Sequence, residues 1–444
     1  MINMLRSFYI NILVIFCTLI TFKEFFYKLL IRFRINERYT PFIDLYNDVF
    51  KENKTIRAND LKKIYSFKYM NKKEQKITEK LCEIINLKIS SNEYNQYIDL
   101  FLNEIEKHKT KLSVLWFLDI ETLSMCGGFY VLAWDIRQLL ETKLIEKYEN
   151  KQKVHFYDTR RLFLCYLYKG DLTKAEDVIK KASYTWKQRH DGYWQYMLAM
   201  TKAKNLADIP SLLKMENNKN DDKYHNIIFE KNIAVFGPSS NVLDVEQIKK
   251  DYDVKIIMTY RGVEHLSEVL KKCGIDVSYY SVWMGIKYTE PIIQSFLYDL
   301  KMVVFKQINN DNQKDMIQQG RSRMRSKRDN CLLMQGHDYL IPLIIMDLLH
   351  FAPSSIKLFN LNLFLPHKSS AYREGYLDLN NVPFGFDKGN NQLNPSNFAI
   401  HNIISYYELL KFWYTRGFFE ADDELSEILS FDTKEYLRLM EQYY

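Results

Sequence analysis

An α-helical domain followed by a Rossmann-like α/β domain is what this sequence predicts, on three observations. From Tyr39 to Tyr224 the apolar spacing is helical, glycine is sparse and no series of strands stands out. Beyond residue 229, short apolar or β-branched runs alternate with helical stretches, the pattern of a parallel sheet covered on both faces. At 444 residues the chain also exceeds what one hydrophobic core usually supports. The expected organisation is therefore a membrane-associating segment over residues 1–38, a helical domain over 39–228 and an α/β domain with C-terminal helices over 229–444.

The first segment contains FYINILVIFCTLITF, Phe8–Phe22, which is shorter than the roughly 20 residues of a spanning helix. It continues into KEFFYKLLIRFR, where apolar residues alternate with Lys23, Lys28, Arg32 and Arg34. A basic flank beside an apolar helix favours the cytoplasmic side and attracts anionic lipid. Residues 8–34 are thus expected to span or lie on a membrane; a packed N-terminal helix of the next domain is the alternative. No secretory cleavage site follows, so the segment is expected to be retained.

In the helical domain, RRLFLCYLYKGDLTKAEDVIKKA (Arg160–Ala182) has the form of a helical hairpin. Tyr168 and Gly170-Asp171 close the first helix, and Ala175 lets the second approach closely. Met215–Asn226 is polar, lacks periodicity and reads as the linker. Strands are then expected at Ile233–Gly237, Val254–Tyr260, Asp276–Met284, Met302–Phe305 and Ile356–Leu361, separated by helices. Asn309–Asn330 interrupts them with almost no apolar content, and its RSRMRSKR run reads as a solvated mobile loop or a basic lid over an anionic ligand. The final helical region, His401–Tyr444, includes the capping box Asp432–Glu435.

The net charge of +7 is mild for this length. It suits an anionic nucleotide-sugar or an acidic membrane surface and is too diffuse for a nucleic-acid binder. Cys17, Cys82, Cys126, Cys165, Cys273 and Cys331 show no C-x-x-C spacing, as expected of reduced thiols and not of a disulfide framework or zinc site. The richness in Lys, Ile, Asn and Tyr is that of an AT-rich bacterial genome.

Chemistry is expected at the carboxyl ends of the strands, where open α/β sheets bind ligands. There Gly237-Pro238-Ser239-Ser240-Asn241 follows the first strand. Glycine permits a tight turn and close approach, and the hydroxyls and N–H groups could receive a phosphate or a base edge. The loop lacks G-x-G-x-x-G and the P-loop lysine, and an ordinary strand-to-helix turn is the alternative. Gly336-His337-Asp338 opens a strongly apolar helix and offers a second place for an anion, although the helix also reads as one packed on the sheet. Asp251 and Asp253 match D-x-D, but they precede the strand VKIIMTY instead of following one, and no metal is expected.

Together, IAVFGPSSN…DYDVKIIMTYRG and QGHDYLIPLIIMDLLHFAPSSIKLFNLN resemble the large and small motifs of the sialyltransferases, within a wider group of bacterial CMP-sugar transferases that add sialic acid or Kdo to surface glycans. The resemblance covers about the last half of the chain. It implies a Rossmann-like glycosyltransferase domain with a CMP-sugar donor and no other cofactor. It further implies a lipid-linked or surface glycan acceptor (capsule or lipooligosaccharide) and a location at the cytoplasmic face of a bacterial inner membrane. Gly237, Pro238, Ser239, Ser240 and Asn241, with Gly336, His337 and Asn360, would hold the nucleotide; Arg261, Tyr279 and Tyr280 would line the donor pocket. The family's Arg and Asn at the end of the second strand are Met258 and Tyr260 here, with Arg261 displaced, and the terminal glycine of its small motif is Asn360 or Asn362.

The family's C-terminal catalytic histidine corresponds to His401 in NPSNFAIHNIISYYELL, with Glu408 further along than in the family. An acceptor hydroxyl attacking an anomeric carbon needs a base of near-neutral pKa. A helix cap or packed residue is the other reading of His401. His337 is the strongest competitor, ahead of His265 and His350. Two alternatives stay open: a transferase for another nucleotide-activated sugar or polyol phosphate, and a non-catalytic helical-repeat assembly protein that binds nucleotide.

Overall fold

The computed structural model describes residues 56, 60–63, 70–86, 91–149, 156–182, 199–209, 220–239, 243–260, 262, 266–280, 299–305, 324–326, 339–365, 386–387, 392–393, 399 and 401–443. Residues 8–34, Ser240, Asn241, Arg261, His265, Gly336 and His337, named above, lie outside them. The chain forms two compact units, Met1–Asp119 and Ile120–Tyr444.

In the first unit, helices α1 (Lys72–Asn86) and α2 (Ser91–His108) pack together. The Glu74 carboxylate ties the start of α1 to the turn after α2, accepting from the backbone N–H of Asn71 at 3.0 Å and of Ser113 at 2.7 Å. Trp116, fully buried at the start of α3 (Val114–Cys126), donates to Thr78 Oγ1 at 3.0 Å. The indole thereby keeps a partner in the core, as a buried N–H requires.

The second unit holds α4 (Tyr130–Tyr148), α5 (Phe156–Tyr168) and α6 (Leu172–Lys181) together with the sheet and the C-terminal helices. It therefore extends across the 228/229 junction expected from the sequence. The α5–α6 hairpin forms as its residues dictate. Gly170 takes the left-handed turn at φ 72°, Asp171 caps α6 by accepting from Lys174 N at 3.1 Å, and Ala175 is fully buried where the helices meet.

After α7 (Asp221–Ile228) the sheet begins. Strands β1 (Asn232–Phe236), β2 (Val254–Met258), β3 (Val277–Tyr280), β4 (Met302–Phe305), β5 (Met324–Ser326) and β6 (Ser355–Phe359) alternate with α8 (Val245–Asp251), α9 (Glu268–Cys273) and α10 (Leu340–Leu349). A separate antiparallel pair, β7 (Phe386–Asp387) and β8 (Gln392–Leu393), follows. Then come α11 (Ile403–Thr415), β9 (Glu420–Ala421), α12 (Asp423–Ser430) and α13 (Thr433–Tyr443). The main sheet is seven-stranded, β5-β4-β3-β2-β1-β6-β9, and every pairing in it is parallel. The α/β class expected from the strand–helix alternation is the class observed.

Continuous burial of the strands follows from cover on both faces. Ala234, Phe236, Ile257, Tyr280 and Val303 share one core with Ile248 of α8 and Leu270 of α9. On the other face, Tyr279 meets α10 and α7, donating to Asp347 Oδ2 at 2.6 Å, with its hydroxyl 2.5 Å from that of Tyr224.

Two expectations are corrected here. Met324–Ser326, read as part of a mobile basic loop, is a strand, and Arg325 is only 1 % exposed. Its guanidinium pairs with Asp347 and with Asp221 (2.9 Å) and lies 4.4 Å from the centre of the Tyr224 ring. Two carboxylates and an aromatic face replace the water that a buried cation loses. Tyr279 and Tyr280, expected to line one pocket, are buried on opposite faces of the sheet, since neighbouring residues of a strand point opposite ways. Tyr280 donates to the Tyr260 carbonyl at 2.5 Å.

Candidate functional site

The strand order reverses between β1 and β6, so the crevice beyond their carboxyl ends is the switch point of the sheet. Its walls are the loop after β1, from Gly237, and the loop after β6, from Asn360. The two loops extend the β1–β6 pairing beyond the strands. Gly237 N donates to the Phe359 carbonyl at 2.7 Å, and Ser239 N to the Asn360 carbonyl at 3.0 Å. Gly237 is required by this approach, because a Cβ there would lie 2.8 Å from the Asn360 carbonyl carbon. The close neighbour of this glycine is the protein backbone of Asn360 and Leu361.

Asn360 has φ 56°. The left-handed region favours glycine and, after it, asparagine. Of Asn360 and Asn362, it is Asn360 that stands where a glycine would otherwise be called for. Leu363 and Phe364 in the same loop (φ 46° and 70°) and Thr259 after β2 (φ 58°) are also left-handed. Such strain persists only where the surroundings fix it. Here Asp422 Oδ2 accepts from Asn360 N at 2.7 Å, the Tyr436 hydroxyl donates to the Leu363 carbonyl at 2.7 Å, and Asn362 Oδ1 accepts from Phe364 N at 3.1 Å. Burial raises the Asp422 carboxyl, while the N–H groups of Leu425 and Asn360 oppose the rise.

Two polar atoms at this crevice have no partner. Ser239 is 0 % and Asn360 4 % exposed, yet Ser239 Oγ and Asn360 Oδ1 accept and donate nothing. Leaving such groups unpaired costs about 1–3 kcal/mol each, so each one calls for a reason.

His401 is half-buried just before α11, with its ring stacked on Tyr339 (centroids 4.2 Å apart, 24° between planes). Tyr339 also meets Phe364 of the β6 loop at 5.0 Å and Tyr406 at 4.7 Å. An aromatic stack therefore joins His401 to the β6 wall of the crevice. The neighbouring Asn402 caps α11, accepting from Ser405 N at 2.9 Å, and is held by Arg137 and Glu121 of the helical region at 2.9 Å each. Glu408 faces that interior cluster, 3.8 Å from Arg137. Burial and the nearby Glu141 charge push its carboxyl well above the usual range. It is part of the packing beneath α11.

The other sequence candidates lie elsewhere. Asp253 is at the opposite, amino edge of the sheet, accepting from Asn232 N at 2.9 Å. Among the described residues, no group of three or more His, Cys, Asp or Glu could hold a metal ion, and no helix is long and apolar enough to cross a membrane. Sequence reasoning missed Asp422, whose role appears only when β9 docks beside β6. A two-residue strand carries no periodic signal. Comparison of the chain with protein-family models, curated proteins and solved structures finds no match.

Proposed function

We propose that this protein is a nucleotide-sugar-dependent glycosyltransferase, with its donor in the crevice between β1 and β6. The observation that carries the reading is the pair of buried, unpartnered atoms, Ser239 Oγ and Asn360 Oδ1, at the switch point of a parallel sheet. A bound ligand would supply the partners they lack. His401 would act as base toward an acceptor hydroxyl, brought to the crevice wall by Tyr339 and Phe364. The sequence resemblance described above supports a CMP-activated acidic sugar as donor and a surface glycan as acceptor. Residues 8–34 would tether the enzyme to the cytoplasmic face of the membrane.

A thermal-shift series with CMP, UDP and GDP tests the donor. Ligand at a hundred times its dissociation constant adds about 2.7 kcal/mol of stability; CMP is expected to give the largest shift, and no shift with any nucleotide removes the reading. Transfer from a CMP-sugar then tests the chemistry. His401→Ala should keep donor affinity and lose roughly a hundred- to ten-thousand-fold in turnover. Near-normal turnover in the folded variant excludes His401 as the base.

A further inference from the structure

We infer that the buried pair of Arg137 on α4 and Glu121 on α3 is a positioning device for His401, acting through Asn402. The inference rests on the reading of His401 as base given above and goes beyond it, by giving two helices outside the sheet a part in the chemistry. Arg137, Glu121, Asn402 and Ser405 are all fully buried. The guanidinium grips the Glu121 carboxylate twice, through Nε to Oε2 at 2.9 Å and through Nη2 to Oε1. It also reaches the start of α11, where Nη2 donates to Asn402 Oδ1 and Nη1 to Ser405 Oγ, each at 2.9 Å. Glu121 Oε1 in turn accepts from Asn402 Nδ2 at 2.9 Å. Both ends of the Asn402 amide are thus held by one ion pair.

This is more than capping a helix requires. An N-cap residue ordinarily sits in the extended region and needs only its own side chain on an N–H of the first turn. Asn402 makes that bond, to Ser405 N, but from the left-handed region, at φ 49° and ψ 75°. The φ of Asn402 sets the direction in which the chain arrives from His401. A side chain gripped at both ends fixes that angle; the ordinary extended cap would turn His401 away from Tyr339. The Tyr339 ring meets those of His401 and Tyr406 at 4.2 and 4.7 Å, and Tyr406 N donates to the Asn402 carbonyl at 3.0 Å. A buried ion pair adds little net stability over apolar packing. Its directional bonds instead select one arrangement, and here that arrangement joins the imidazole to the β6 loop through Tyr339 and Phe364.

The test uses the full-length protein. Asn402→Gly removes the gripped amide, keeps the left-handed backbone open and leaves the ion pair its own two bonds. Glycine is also a tolerable N-cap, so this variant should fold. Arg137→Lys keeps the charge and loses the fork. Gly274→Ala, strained at φ 73° after α9, is the destabilised control with the clamp intact. One readout is the His401 Cε1–H proton resonance, assigned by its loss in His401→Ala. The others are CMP affinity by thermal shift, and kcat and KM for transfer from CMP-sialic acid to lactose as probe acceptor. Asn402→Gly and Arg137→Lys should move the His401 resonance and lower kcat roughly tenfold to a hundredfold, with KM and CMP affinity unchanged. Gly274→Ala should change none of these. If Arg137→Lys fails to fold, Asn402→Gly decides alone. A folded Asn402→Gly that keeps the wild-type resonance and kcat overturns the inference. An equal loss of kcat in Gly274→Ala also overturns it, because lowered stability would then explain the effect. Either result, alongside an inactive His401→Ala, leaves the base reading standing. Near-normal turnover in His401→Ala, or no turnover in the wild type, removes both.

Discussion

Gly237 is the residue on which the crevice geometry turns. The β1 and β6 loops touch there without room for a methyl group. Gly237→Ala should therefore force the Asn360 backbone away and destabilise the protein by about 1–3 kcal/mol, read as a lower denaturation midpoint. Gly170→Ala is the comparison. Nothing lies within 4 Å of a Cβ there, and its cost comes only from φ 72°, about 1–2 kcal/mol. Ser239→Ala should behave oppositely without ligand, leaving stability unchanged or raised, because it removes an unpaired buried hydroxyl. A large loss of stability in Ser239→Ala would mean that the hydroxyl has a structural partner. The place of Gly237 and Ser239 at the end of β1 was legible, since an apolar run ending in Gly-Pro-Ser marks a strand edge. The reason for the glycine was not, because its neighbour Asn360 is more than a hundred residues away in the chain.

At the scale of elements, α4 begins without a side-chain cap of its own, since its N-cap residue is Phe129. Glu441 of α13 supplies one from across the fold, accepting from Val131 N at 2.7 Å. Burial pushes its carboxyl up from 4.5 to about 7, against the lowering effect of the N–H groups of Val131 and Tyr130. A raised carboxyl holds its proton more tightly in the folded state. Its contribution to stability is thus complete below about pH 4.5 and lost as pH rises through about 7. Glu441→Gln keeps the accepting oxygen without the charge. Relative to this variant, the wild type should lose stability between those pH values, by at most about 3 kcal/mol given about 1.4 kcal/mol per pH unit. Parallel pH-dependent urea titrations measure it, and identical slopes would dismiss the effect. Elements with a strong period were legible: α10, the α5–α6 hairpin and β1. β5 was not, because three residues centred on an arginine carry the signature of a solvated loop, and only Asp221 and Asp347 reveal a buried strand.

For the whole molecule, the sequence pattern suggests two independent halves, whereas the bonds of the second unit cross that line. Tyr224 and Asp221 of α7 hold Tyr279 and Arg325 of the sheet, and Arg137 and Glu121 hold Asn402. Residues 229–444 expressed alone should therefore fail to unfold cooperatively, since removing one side of a buried ion pair costs roughly 3–5 kcal/mol. Circular-dichroism melts of that fragment and of the full chain decide it. A sharp transition in the fragment would show the helices to be dispensable. The pattern missed this because helical periodicity reports which face is apolar and not which neighbour covers it.

The parallel neighbours β1 and β6 have a further consequence, for the order in which the molecule is made. Asn232 and Ser355, bonded side by side at the base of these strands, are separated by 123 positions, and Asn360 waits another 62 for Asp422. A ribosome must release nearly the entire second unit before the crevice has both walls and the clasp that fixes them. Until then the nascent chain has its β1 loop but not the wall that faces it. On the function proposed above, ligand capture would be confined to finished molecules, and a chain interrupted anywhere ahead of Asp422 should emerge unable to bind a nucleotide.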